Sequence, residues 1–245
     1  MEAARAGREF GLYLTNRRSL GRAPRGDGHP VLVMPGLLGG DGSTRAMRVF
    51  LRGLGYHVHA WRLGRNWGPT DRIVDGLGDR FRGLVEKHGQ KITLVGHSLG
   101  GIYARELARR APDYVRGVVT LGSPVRLGER MSSNAEPVVR ALQSRYSERA
   151  KGGLPPGEIH ETVGVPLTAI ITMTDGVVHW KTCVVEAGSL QECVVVRGSH
   201  SGLIHNPAAL HVVADRLAQP DGRWLPYEEQ DGLGASIFVP RSGDD

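Results

Sequence analysis
Apolar residues recur along this chain in two alternating rhythms. Six short stretches are apolar throughout or at every second position: 29–34, 56–61, 91–95, 114–121, 165–172 and 193–197. They are rich in Val, Ile, Leu and Thr, and several run directly into glycine or proline, the pattern of strands in a sheet covered on both faces. Between them the spacing changes to three and four. Met47, Phe50, Leu51 and Leu54 fall on one stripe of 43–54, and Ile73, Leu77, Phe81 and Leu84 on one stripe of 71–87. The same rhythm returns over 102–110 and 206–217. These spacings predict helices with one apolar face. Strands alternating with helices predict an α/β protein with a mainly parallel sheet of about six strands, right-handed crossovers and helices on both faces. Functional residues are then expected at the C-terminal ends of the strands.

Three regions fall outside this rhythm. Residues 1–28 read as a lead-in, with Phe10, Leu12 and Leu14 expected on one side of a short helix or extended arm. Arg25-Gly26-Asp27-Gly28 reads as a turn into the first strand rather than an adhesion motif. Residues 126–164 carry Gly, Pro, scattered charge and one candidate helix over 136–150. Connections in α/β units are usually much shorter, so this stretch is read as a small cap or lid, with an irregular crossover as the alternative. Residues 219–245 form a turn-rich C-terminal extension whose apolar patch at 237–239 is expected to pack on the surface. The whole chain, 1–245, reads as one domain with its core at about 29–218.

Composition narrows the function. Of 245 residues, 35 are Gly and 40% are hydrophobic, which suits tight strand–helix turns and argues against disorder. The net charge of +6 is spread among acids, without a basic block interleaved with aromatics, so nucleic acid is not an expected partner. No apolar run is long enough for stable membrane insertion, and 1–8 lack the apolar core of a signal peptide. The expectation is a cytoplasmic protein, with secretion after removal of a signal left open. The two cysteines, Cys183 and Cys193, are read as reduced thiols, with a disulfide as the alternative. No metal-ligand spacing stands out, and neither metal nor cofactor is expected.

The candidate chemistry centres on Gly96-His97-Ser98-Leu99-Gly100-Gly101. A G-x-S-x-G between a β-run and a helix is the setting of a nucleophile elbow, in which the serine is lifted clear of the sheet. The plainer reading of Ser98 is a helix N-cap. A serine hydroxyl needs a base, and histidine is suited to working pH. A carboxylate behind the histidine fixes its tautomer and steadies the imidazolium. Asp175 and His200 follow Ser98 in the order nucleophile, acid, base, each just past its own expected strand. His205 competes less well for the base because it begins a helix, and His97 and His179 lie near the site by sequence, where they are candidates to touch substrate. Glu186 and Glu192 rival Asp175 for the acid but do not directly follow a strand end, and Glu129, after the preceding strand, is a lesser rival. The backbone N–H groups of Leu99 and of Leu37, in the loop Pro35-Gly36-Leu37-Leu38-Gly39-Gly40, are the expected oxyanion donors. That glycine run lacks the Gly-Lys-Ser/Thr ending of a phosphate loop.

With those residues in view, 29–218 resembles a small bacterial serine esterase or triacylglycerol-lipase-like member of the α/β-hydrolase superfamily. The resemblance rests on Val33-Met34-Pro35-Gly36, the Gly-His-Ser-Leu-Gly-Gly elbow, Leu121-Gly122-Ser123-Pro124, Thr174-Asp175-Gly176-Val177-Val178 and Gly198-Ser199-His200-Ser201-Gly202-Leu203. Many relatives carry His-Gly where this chain has Pro35-Gly36. The resemblance implies a three-layer α/β-hydrolase fold, with a minimal sheet beginning at the superfamily's third strand and a small cap insertion. It also implies ester hydrolysis through an acyl-enzyme on Ser98, with a small-molecule or lipid ester as substrate. The acyl pocket is expected between 126–164 and the loops at 37–42 and 64–69, lined by Leu38, Trp67, Met131, Val177 and Val178. An acyltransferase on the same triad, or a non-catalytic binding protein of this fold, remain the alternatives. The oligomeric state is not legible.

Overall fold
The computed structural model describes residues 2–125, 163–228 and 235–237. Strands β1 (Pro30–Met34), β2 (His57–Ala60), β3 (Ile92–His97), β4 (Val115–Leu121), β5 (Leu167–Ile171) and β6 (Gln191–Val196) pair in parallel in the order β2-β1-β3-β4-β5-β6. A seventh strand, β7 (Ala235–Ile237), pairs antiparallel with β6. Of the apolar patch at 237–239, only Ile237 lies within the described residues, and it falls in this strand. The open edge of β6 presents unpaired N–H and C=O groups, and a short extended segment satisfies them by adding a strand.

Helices α1 (Glu2–Thr15), the single turn α2 (Arg17–Leu20), α3 (Arg45–Gly53), α4 (Asp71–His88), α5 (Leu99–Arg110) and α6 (Pro207–Leu217) cover the sheet. Successive residues of one strand face opposite layers. Leu32, Met34, Ile92 and Leu94 pack with Ile73, Leu77, Phe81 and Leu84 of α4 and with Ile102 and Tyr103 of α5. Val31, Val33, Val95 and Val119 pack instead with Met47 and Leu51 of α3, Leu210 and Val213 of α6, and Tyr13 of α1. A strand buried on both sides therefore has to be apolar at every position, as β1 is. The helix ends follow local chemistry. Thr70 caps α4 through its side chain on the Ile73 N–H, and Gly89 closes that helix in the left-handed conformation at φ 61°. Asn206 caps α6 on the Ala208 and Ala209 N–H groups.

The N-terminal segment also departs from expectation. It is helical over Glu2–Thr15, but Phe10, Leu12 and Leu14 point outward, and the buried side chains are Glu9 and Tyr13. Residues two apart lie about 200° apart on a helix, so Phe10, Leu12 and Leu14 do not make one tight apolar face. The candidate cap over 126–164 lies almost wholly outside the described residues, as do Met131, Glu129 and the candidate helix over 136–150.

Candidate active site
β3 ends at His97, and α5 begins at Leu99, leaving Ser98 alone to make the turn. Its backbone sits at φ 51° and ψ −122°, a strained conformation for a residue with a Cβ. Ser98 occupies the N-cap position, yet its side chain makes no capping hydrogen bond. The surrounding chain holds the turn closed: the Ser98 N–H donates to Leu121 O at 2.8 Å, and Ser123 Oγ donates to Ser98 O at 2.7 Å. The turn is tight enough to demand glycine. A Cβ on Gly96 would lie 2.3 Å from Gly100 O, and one on Gly100 would lie 2.4 Å from Met34 O. Sequence reasoning found Ser98 and its glycines, but it marked Ser123 only within Leu121-Gly122-Ser123-Pro124 and gave it no role at the turn.

Asp175 follows β5, and His200 follows β6, where neighbouring parallel strands bring their C-terminal ends together. His200 Nδ1 lies 2.6 Å from Asp175 Oδ2, and these side chains are 6% and 1% exposed. The other carboxylate oxygen, Oδ1, accepts from the N–H groups of Val177 and Val178, both at 2.8 Å. With Oδ1 so engaged, Oδ2 is the oxygen left for the imidazole. His97, beside Ser98, reaches into the same corner: its Nε2 lies 2.9 Å from His200 O, and the two rings are 5.1 Å apart. Burial first, and then the neighbouring His200, push His97 down to about 3. A neutral His97 donates from Nε2 to that carbonyl and brings no charge to the corner beside His200.

The loop after β1 is pinned from the side. Asn66, fully buried, donates from Nδ2 to Pro35 O at 2.9 Å. Its backbone accepts from the Leu38 N–H and donates to Gly39 O, both at 2.7 Å. Among the described residues no acceptor meets the Leu37 N–H. The Leu99 N–H opens α5 and is one of the donors that helix geometry leaves unpaired. A Cβ on Gly36 would lie 3.1 Å from Ser98 Cβ, so this loop passes directly against the serine. The sequence marks Asn66 only as part of a loop, and nothing in its neighbours' composition distinguishes it.

The other candidates separate clearly. Leu38 and Trp67 are exposed, at 57% and 63%, on the two loops that Asn66 ties together, and Arg65 stacks over Trp67 at 5.4 Å. Val177 packs against the core at half burial, and Val178 lies within it. Glu192 is committed to Thr168, Arg216 and the Tyr227 N–H. His205 Nε2 lies 3.0 Å from Ala6 O, Glu186 is exposed, and His179 precedes a short 3-10 turn. Cys183 and Cys193 are free and buried; burial pushes Cys193 up to about 12 and Cys183 well above its usual value. Neither thiol forms a thiolate at neutral pH. A cavity of about 530 Å³ bordered by Arg105, Val125, Val165, Val185 and Leu190 touches none of Ser98, Asp175 and His200. Among the described residues no helix is long and apolar enough to cross a membrane.

Residues 30–150 match the family model described as the alpha/beta hydrolase fold. Among curated proteins, the chain is 32% identical over 106 residues to the "Putative carbamate hydrolase RutD" of Azorhizobium caulinodans, covering 41% of this chain and 40% of that protein. It is 30% identical over 110 residues to a triacylglycerol lipase of Pseudarthrobacter phenanthrenivorans, covering 41% of this chain and 34% of that one. The matches therefore span well under half of either relative. Among solved structures, one from a study of LipS and LipT, two metagenome-derived lipolytic enzymes, superimposes with a TM-score of 0.56 at 16% identity. That superposition covers 79% of this chain and 93% of the other. The sheet order, the turn between β3 and α5 and the family model agree: the chain has the α/β-hydrolase fold.

Proposed function
We propose that the protein hydrolyses carboxylic esters through a Ser98–His200–Asp175 triad. The observation that carries this reading is the 2.6 Å contact between His200 Nδ1 and Asp175 Oδ2, with the second carboxylate oxygen held by two backbone N–H groups. That contact leaves His200 Nε2 as the nitrogen for the serine. In the proposed reaction His200 takes the Ser98 Oγ proton as Oγ bonds to the ester carbonyl carbon. The resulting oxyanion accepts from the Leu37 and Leu99 N–H groups, and losing one such donor typically costs about 10²–10³ in rate. Collapse breaks the bond from carbon to the alkoxy oxygen, and His200 returns the proton to the departing alcohol. Water, deprotonated by the same histidine, then releases the acid and frees Ser98. Asp175 holds the tautomer throughout. The lipase and lipolytic relatives support an ester as substrate, and the exposed Leu38 and Trp67 beside Leu37 support an apolar acyl group lying across that loop.

The test is turnover of nitrophenyl esters of rising acyl length by the wild type and by Ser98→Ala, with and without glycerol as acceptor. Release of nitrophenol and free acid by the wild type alone supports the reading. Equal turnover by Ser98→Ala contradicts it, and acyl glycerol as main product would make the protein a transferase.

A further inference from the structure
α1 lies across the two loops that carry Asp175 and His200, and it touches both with charged side chains. Arg5 donates to Thr174 O and Thr174 Oγ1, each at 2.8 Å, and also to Gly198 O. Glu2 Oε1 accepts from the Gly176 N–H at 2.9 Å, and its Oε2 accepts from the Ser201 N–H at 3.3 Å. Residues 174 and 176 flank Asp175, while 198 and 201 flank His200. Two side chains one turn apart on one helix thus bracket both members of the pair. The loops are shaped to receive that helix. A Cβ on Gly176 would lie 2.6 Å from Glu2 Oε1, and one on Gly202 would lie 1.5 Å from Oε2 of Glu9, the buried acid on the same face. Thr172 Oγ1 adds a cross-link between the loops, donating to Gly198 O at 3.0 Å.

We infer that Arg5 and Glu2 are positioning residues that set the Asp175–His200 pair by clamping the ends of β5 and β6 together. The inference rests on the proposed triad. The guanidinium suits the role because its fixed fork satisfies acceptors on two loops at once, which a point charge does less well. The two glutamate oxygens each hold one backbone N–H. Neither side chain touches the reacting atoms. The clamp acts by restricting how far the two loops can drift, and a misplacement of about 1 Å in a catalytic group can cost about 10²-fold in rate.

The test combines kinetics with a signature of the pair itself. In folded Arg5→Ala, kcat for a nitrophenyl ester is expected to fall about 10- to 100-fold with KM within about threefold, as for lost outer-shell partners elsewhere. Arg5→Lys should fall between it and the wild type. The low-field proton NMR signal of the His200–Asp175 hydrogen bond, identified by its loss in Asp175→Asn, should broaden or vanish in Arg5→Ala and persist in Arg5→Lys. Arg8→Ala removes an equal charge from an exposed position of the same helix and should change neither reading. If Arg5→Ala does not fold, Glu2→Ala carries the same expectation. Wild-type kcat, or an unchanged low-field signal, in the folded variant overturns the clamp. A wild type inert towards every ester would sink the hydrolase reading alone, because the NMR arm still decides whether the helix sets the pair.

Discussion

At the scale of single residues, the site concentrates strain and fixation at neighbouring positions. Ser98 holds a positive φ that a serine adopts only under constraint, and such residues typically cost about 1–3 kcal/mol. The constraint comes from the Ser98 N–H on Leu121 O and from Ser123 Oγ on Ser98 O. Glycine has no Cβ to clash there, so Ser98→Gly should raise the unfolding free energy by up to about 1 kcal/mol while abolishing the proposed activity. Urea unfolding beside the ester assay checks both halves; a less stable variant would mean that the elbow is not strained. Asp175 is fixed from the other direction, by two N–H groups on Oδ1 and the imidazole on Oδ2. Asp175→Asn preserves shape but presents either an amide N–H to His200 Nδ1 or an amide oxygen without charge. On the proposed mechanism kcat should fall about 10²–10⁴-fold with little change in KM. A loss confined to KM would assign Asp175 to substrate binding.

At the scale of elements, the site depends on how closely α5 approaches the sheet. Gly100 lies in the first turn of α5, where alanine is ordinarily the better helix former by about 1 kcal/mol. Packing reverses that preference, since a Cβ there would meet Met34 O at 2.4 Å. Gly100→Ala is therefore expected to destabilise the protein by more than about 2 kcal/mol and to weaken the proposed activity by shifting the Leu99 N–H. A stabilised Gly100→Ala protein, measured by thermal unfolding, would mean the turn has room to spare. This element also marks what the sequence could disclose. The strand–turn–helix unit around Ser98 was legible because apolar alternation, glycine spacing and the serine all lie within a dozen residues. The meeting of Asp175 and His200 was legible because strand ends in a parallel sheet gather at one edge. The contacts of Glu2 and Arg5 on α1 were not, because their partners lie about 170–200 positions away and both side chains are charged. Glu2, Arg5 and Glu9 recur at three and four residues, a stripe that a search for apolar periodicity passes over in favour of Phe10, Leu12 and Leu14. Strand β7 was missed for a related reason: a three-residue segment acquires its structure from the free edge of β6.

At the scale of the whole molecule, burial holds several histidines below their ordinary value and ties stability to pH, most strongly through His97 and His59. Burial first, and then His200, hold His97 at about 3. His59 is held at about 4 by burial first and then by His88, whose Nε2 lies 2.8 Å from its own. In the unfolded chain both take up protons near the ordinary value of about 6.5. The unfolded state thus binds more protons than the native one between about pH 6.5 and the depressed values, so stability is intact above about 6.5 and falls as the medium is acidified towards 4 and 3. His59→Gln keeps a neutral partner for His88 and removes one titrating group. Its loss of stability between pH 7.5 and 4.5, followed by urea midpoints, should be smaller than that of the wild type. An equal loss would place the acid sensitivity elsewhere. The +6 charge shows no comparable focus, being spread among acids along the chain. Both faces of the sheet are filled, and Leu38 and Trp67 stand exposed on loops at its C-terminal edge.

The most direct test of the account is the identity of the atom that carries the acyl group. A nitrophenyl ester is mixed with the protein, the reaction is quenched in acid within the first turnover, and the trapped acyl group is located by peptide mass mapping. The account predicts one acyl group per chain on the peptide containing Gly96-His97-Ser98-Leu99-Gly100, localised to Ser98 and lost in Ser98→Ala. Acyl label on any other residue, with Ser98 unmodified during turnover, would contradict it.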